Sequence, residues 1–294
     1  MEAIKRRKLM HTFSRREFLA RSAMGFTAAG YLSAGALSLG ADPLGLPIGF
    51  QIYPVREQSV KDFEGTLREM VAAEYRAIEL CSFSGYDDFS ALGRMKASEV
   101  RQILKTVGLH CESCHYTSEE LKTSLDDRIN YAKDLGLKFM ILSSFGLKRD
   151  ATLDDWKQAA ADLNKVGEKT KQAGIQLGYH NHDMEFKKLD GALIYDELMK
   201  QFDAKLIKLQ FQCAVVSIGY DPVTYLSKYP GRFCSLHVAD WSSKEKKMVP
   251  VGQGVIDWKK LFVAAKAGGV RNYFVEMDKD LMKASVPYLH ELKV

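Results

Sequence analysis

The chain has 294 residues, 46% of them hydrophobic, with 42 Lys and Arg against 37 Asp and Glu. That length can bury one large core. Residues 1–41 carry seven of the basic and two of the acidic residues, so the remainder is neutral at 35 against 35. Such a balance argues against nucleic-acid binding, which needs a basic face to neutralise phosphates, and suits a small uncharged ligand.

Residues 1–41 read as a leader. Ser14-Arg15-Arg16-Glu17-Phe18-Leu19 precedes a small, apolar run from Ala23 to Leu39, with candidate cleavage sites at Ala34-Gly35-Ala36 and Gly40-Ala41. A charged start, an apolar centre and a small-residue end, with paired arginines, form the pattern of a twin-arginine export signal. The expectation is export to the periplasm, with an uncleaved membrane-anchoring leader as the alternative and no stable membrane insertion beyond it. Residues 42–294 are then a single domain. Five cysteines (81, 111, 114, 213 and 234) leave at least one unpaired in a monomer, and no disulfide framework is expected.

Short apolar runs alternate with stretches of helical period through this domain. Strands are expected near 48–53, 75–80, 108–114, 138–143, 175–180, 206–212, 233–238 and 272–276. Helices are expected at 60–73, 98–107, 118–135, 152–173, 193–202 and 258–267. Thr152 with Asp155 forms a capping box, and Gly108, Gly136 and Gly174 stop helices just before strands. Eight strands alternating with helices at this length predict an α/β fold, a (β/α)8 TIM barrel, and no glycine-rich phosphate loop follows the first strand.

The chemistry gathers at strand ends, where a barrel of this kind builds its site. The fifth strand runs into Gly178-Tyr179-His180-Asn181-His182-Asp183, the sixth carries Gln210 and Gln212, the seventh His237 and Asp240, and the eighth Glu276 and Asp278. Imidazoles with one carboxylate and an amide oxygen suit a divalent Mn, Co, Zn, Ni or Fe ion better than Mg or Ca. Glu79 ends the second strand and His115 the third, Trp241 and Tyr179 are candidate stacking platforms for a ligand, and Asp240 is a candidate carboxylate behind His237. Cys111-Glu112-Ser113-Cys114-His115 has the spacing of covalent haem attachment, but its place in a strand, whose residues point alternately in and out, weighs against that use.

Six segments together resemble the xylose isomerase-like family of sugar isomerases and epimerases. They are Tyr75-Arg76-Ala77-Ile78-Glu79, Asn181-His182-Asp183, Gly219-Tyr220-Asp221-Pro222, His237-Val238-Ala239-Asp240, Val251-Gly252-Gln253-Gly254-Val255-Ile256-Asp257-Trp258 and Glu276. The resemblance implies a metal held by residues on strands five to eight, here His180, Gln212, His237 and Glu276, with Gln210 a rival for Gln212. His180 stands where the family has Glu, and Gln212 where it has Asp. In the epimerases two ligand glutamates on opposite faces of the sugar move the proton, and this chain keeps one of them. The expected activity is therefore proton abstraction beside a carbonyl, with His180 or Glu276 as base and Glu79, His115, His182 and Trp241 binding substrate. A lyase or hydratase acting on an oxidised (3-keto) sugar or glycoside comes first. A sugar isomerase or epimerase, or a non-catalytic sugar-binding barrel, is the alternative, and an oligomer is compatible with either.

Overall fold

The computed structural model describes residues 42–294, and the leader expected over 1–41 lies outside them. The barrel strands are β1 (Gly49–Gln51), β2 (Ala77–Cys81), β3 (His110–Tyr116), β4 (Phe139–Leu142), β5 (Gln176–His180), β6 (Ile207–Gln212), β7 (Phe233–Val238) and β8 (Asn272–Val275). All eight are parallel, each bonded to the next, and β8 pairs with β1 to close the sheet. The fold is a (β/α)8 barrel. The helices are α1 (Arg56–Lys61), α2 (Phe63–Ala72), α3 (Ala97–Val107), α4 (Ser118–Thr123), α5 (Leu125–Leu135), α6 (Leu153–Gln172), α7 (Ile194–Gln201), α8 (Pro222–Lys228), α9 (Trp258–Gly268) and α10 (Lys279–Glu291). None among the described residues is long and apolar enough to cross a membrane.

Local chemistry explains most of the boundaries. Thr152 and Asp155 cap α6 reciprocally, and Gly108 and Gly136 end α3 and α5 at φ of 84° and 90°, a left-handed conformation that only glycine adopts freely. The expected helix 118–135 is two helices that break at Ser124, whose φ of −137° is not helical. Two helices go beyond those expected. Asp221 caps the short α8 ahead of Pro222, and α10 contains Pro287, a residue that ordinarily argues against a helix. The first strand is shorter than expected, because the chain turns into a 3-10 segment at Tyr53–Val55.

Between strands and helices lies the apolar layer, where Phe50, Leu67, Ile78, Leu209, Phe211, Leu236, Phe262 and Tyr273 are fully or almost fully buried. Tyr179 belongs to this layer rather than to a sugar platform. Its ring stacks on Phe145 with centroids 4.5 Å apart, and its hydroxyl is bonded to the buried carboxylate of Glu185. All five cysteines are free.

Barrel closure leaves no room at one glycine. A Cβ on Gly49 would stand 2.6 Å from the Tyr273 carbonyl oxygen, a backbone atom that cannot rotate away. Gly49→Ala should therefore push β1 from β8 and lower the unfolding free energy by about 2–3 kcal/mol, read as a shifted urea midpoint at unchanged slope.

Candidate active site

The interior of this barrel is polar where branched apolar residues would be usual. Glu79 on β2 is completely buried, and five side chains from other strands meet it. Ser113 Oγ donates to Oε1 at 2.5 Å and Gln210 Nε2 at 2.8 Å, while Gln51 Nε2 donates to Oε2 at 3.2 Å. The imidazoles complete the set, with His237 Nε2 at 2.5 Å and His115 Nε2 at 3.2 Å from Oε2. Only side chains pointing down the barrel axis can meet in this way. Burial by itself would raise the Glu79 carboxyl, but His115 and His237 outweigh it and hold the group ionised, far below the usual carboxylate range.

Above Glu79 the imidazoles cluster. The rings of His115 and His237 stack with centroids 5.1 Å apart, and His180 lies 4.4 Å from His237 and 5.1 Å from His115. One ligand nitrogen from each of the three falls within 4.8 Å of the others. His182 stands edge-on to His180 at 4.7 Å. Glu276 follows β8, and its Oε2 lies 2.8 Å from His237 Nδ1 and 2.6 Å from Gln212 Nε2. His237, completely buried, thus sits between two carboxylates. Burial opposes its charge, yet Glu276 and Glu79 raise its pKa well above the ordinary imidazole value. His180 shifts the other way, held neutral by desolvation first and then by the neighbouring imidazoles, and desolvation lowers His182 as well.

A cavity of about 220 Å³ opens over this cluster, lined by His115, His180, His182 and Glu276 with Tyr53, Cys81, Tyr86, Ser143 and Ser144. Among the described residues, the buried Nδ1 atoms of His180 and His182 and the buried hydroxyl of Tyr86 have no hydrogen-bond partner. Unpaired buried polar atoms are costly, and these three belong to residues that line the cavity, where a ligand can partner them. An apolar cavity of about 250 Å³ beside Phe145 and Leu163 has no imidazole in its lining, so the chemistry rests on the smaller one.

The structure brings His180, His182, His115, His237, Gln212 and Glu276 together at one mouth. Three expected roles differ. Glu79 does not line the cavity but lies beneath it, where no sugar hydroxyl reaches. Trp241 does not line it either, because the chain leaves the barrel at Asp240 and forms an antiparallel hairpin, Asp240–Ser242 with Lys247–Val249. Gln212 turns its NH2 to Glu276 while its Oε1 accepts from Ala214 N at 3.1 Å, so the oxygen a metal would need is already used. Its rival Gln210 is committed to Glu79, Ser235 and His115. The haem-like run occupies β3, where His115 joins the imidazole cluster and Cys114 is buried.

Asp240 also differs from expectation. Both nitrogens of His237 are taken by other carboxylates, and Asp240 instead accepts from the backbone amides of Trp241, Gly252, Gly254 and Ile256 and from Trp258 Nε1 at 2.8 Å. This explains the run from Val251 to Trp258. A Cβ at Gly254 would lie 2.0 Å from Asp240 Oδ1, so glycine lets that loop wrap the carboxylate. Sequence reasoning missed Gln51, Ser113, Ser235 and Tyr86. Gln51 and Ser235 are polar residues inside apolar strand runs, a legible signal, while Ser113 stands in a strand already rich in polar residues and Tyr86 sits in a loop with no register to read.

A closed eight-stranded parallel barrel with imidazoles and a carboxylate at the C-terminal strand ends defines a class, the (β/α)8 barrels that carry their site at that face. Comparison with known proteins agrees with that class. The family model for the xylose isomerase-like TIM barrel matches residues 67–288, and the chain belongs to that family. It is 28% identical over 171 residues to an inosose dehydratase from Lacticaseibacillus casei, covering 51% of this chain and 56% of that protein. A second inosose dehydratase, from Geobacillus thermodenitrificans, is 26% identical over 210 residues, covering 60% and 68%. The chain thus spans little more than half the length of the first of these curated relatives. A crystal structure of a sugar phosphate isomerase/epimerase from Parabacteroides distasonis superposes with a TM-score of 0.70 at 25% identity, covering 84% of this chain and 96% of that one.

Removing the Asp240 carboxylate would strand four backbone amides and an indole N–H. Asp240→Ala should therefore lower stability by about 2–4 kcal/mol in urea while the far-ultraviolet spectrum of the barrel persists.

Proposed function

We propose that the protein is a metal-dependent dehydratase acting on an uncharged keto-sugar or keto-polyol. The observation that carries this reading is the donor set at the barrel mouth, three imidazoles within ligand distance of one another with Glu276 against His237. Such donors, with a buried and unpartnered His180 Nδ1 among them, fit a divalent ion of the zinc, cobalt, nickel, iron or manganese type. His180, His237 and Glu276 would hold it, with His115 as a fourth donor in place of Gln212. When bound, the ion supplies Lewis-acid polarisation of a ketone, which acidifies the adjoining C–H.

The remaining residues account for the rest of the reaction. His182 faces the cavity, and desolvation keeps its imidazole neutral, able to accept the proton from the carbon beside the ketone. The electron pair from that C–H bond forms the carbon–carbon double bond as the β carbon–oxygen bond breaks. The departing hydroxyl takes up a proton and leaves as water, and no oxidant or reductant is consumed. Glu276 is the one carboxylate in the cavity lining among the described residues, so proton transfer from two opposite carboxylates, as in a two-base epimerase, lacks its second member. Among the described residues no Lys or Arg lines the cavity, and Tyr53, Tyr86, Ser143 and Ser144 present neutral hydrogen-bonding groups. A neutral polyol suits that wall better than a sugar phosphate. The similarity to two inosose dehydratases supports the same reaction class. The leader pattern of residues 1–41 supports export, so the proposal puts this chemistry outside the cytoplasm.

Two measurements test the reading. The purified protein should contain about one equivalent of divalent metal, and His237→Ala and Glu276→Ala should each lose it together with conversion of keto-inositols or 3-keto-glucosides to a dehydrated product. Metal-free protein after supplementation would remove the dehydratase reading, and carbon epimerisation without loss of water would replace it with the isomerase one. On the substrate so found, Tyr86→Phe should raise KM and lower kcat/KM about 5-fold at nearly unchanged kcat, the effect of one neutral hydrogen bond to substrate.

A further inference from the structure

Glu79 takes polar contacts from five barrel side chains, yet it touches no part of the cavity. Its Oε1 is filled by Ser113 and Gln210, and its Oε2 by Gln51 and the Nε2 atoms of His237 and His115. Ser113, Gln210 and Gln51 already donate to both oxygens, so Glu79 serves as an acceptor and each imidazole presents an N–H to it. His115 Nε2 also lies 2.6 Å from Gln210 Oε1, and the Gln210 amide nitrogen is committed to Glu79 and Ser235. That oxygen is therefore an acceptor as well, and two acceptors on one nitrogen fix its proton. The opposite edge of His237 faces Glu276, which does line the cavity.

We infer that Glu79 is a positioning residue that holds a proton on Nε2 of both His237 and His115, which leaves Nδ1 as the nitrogen a metal would take, in His237 in place of the proton that Nδ1 shares with Glu276. This rests on the metal reading above and goes beyond it by assigning which edge of each ring is free to bind. Carboxylates behind metal-bound imidazoles orient the ring and raise its basicity, and their loss costs about 10–100-fold in metal affinity. Here one buried carboxylate serves two rings on non-adjacent strands, β3 and β7. The arrangement also explains why the barrel interior is polar at this level. Gln51, Ser113 and Gln210 supply the three further donors without which a buried carboxylate between two rings would be unsatisfied.

The experiment is a Zn2+ titration by calorimetry of the parent, Glu79→Gln and Ser113→Ala, with histidine ring 15N NMR of the zinc-loaded parent. Glu79→Gln keeps the shape but turns an amide N–H toward existing N–H donors, so zinc affinity should fall about 10–100-fold. Ser113→Ala removes one bond to Glu79 without touching a ring and should stay within about 3-fold. In the NMR spectrum the parent should show His237 and His115 protonated at Nε2 and zinc-shifted at Nδ1. This measurement decides the matter even where Glu79→Gln does not fold. Zinc on Nε2 of His237, parent affinity in a folded Glu79→Gln, or an equal loss in Ser113→Ala would each overturn the inference while leaving the metal reading intact. A parent that binds no zinc would overturn that reading, and this one with it.

Discussion

A buried charge must be satisfied or it unfolds the protein around it, and here that charge is the Glu79 carboxylate on the barrel axis. Side chains from β1, β3, β6 and β7 converge on it. These contacts add to the backbone ladder in fixing how the strands are staggered. A slip of one residue in any of them would turn its donor out of the barrel and leave the carboxylate short of a partner. The parallel ladder and the polar plug therefore specify one another.

That plug divides the molecule into two chemical regimes. Outside the sheet, the layer between strands and helices is apolar and aromatic, with clusters such as Phe145, Tyr179 and Phe202. Inside, at the C-terminal end, imidazoles and carboxylates alternate from Glu79 through His237 to Glu276. Alternation along each strand separates the two, since neighbouring residues face opposite sides of the sheet. His180 and Tyr179 show this directly, one in the cavity lining and the other in the aromatic layer.

The same opposition sets the charge state of the cluster. Imidazoles between carboxylates are pulled toward the cation, as at His237, while those crowded by other imidazoles and cut off from water stay neutral, as at His180 and His182. The neutral rings keep a lone pair that can hold a cation or accept a proton, and His237 gains one when its Nδ1 proton is lost. Those two capacities are what dehydration beside a ketone requires. Asp240 lies outside that circuit. It binds the loop from Gly252 to Trp258 to the barrel rim, so the His-Val-Ala-Asp run carries a site residue at one end and a structural anchor at the other.

Strand periodicity, glycine stops and the turn to polar residues at strand ends made the eight strands and the ring of His180, His182, His237 and Glu276 legible in the linear chain. These are local properties, written in a few consecutive residues. The length of β1, the breaks at Ser124, helix α10 through Pro287 and the hairpin after Asp240 were not legible, because packing against distant elements overrides local preference there. The roles of Glu79, Gln212 and Asp240 were decided only by tertiary structure. Each is a carboxylate or amide whose job depends on what faces it across the barrel or loop, up to 158 residues away in the case of Glu79 and His237. The sequence by itself determined which chemical groups stand at the mouth of the barrel. Closure of the barrel decided which of them touch, because a hydrogen bond depends on distance and direction in space and residue order specifies neither.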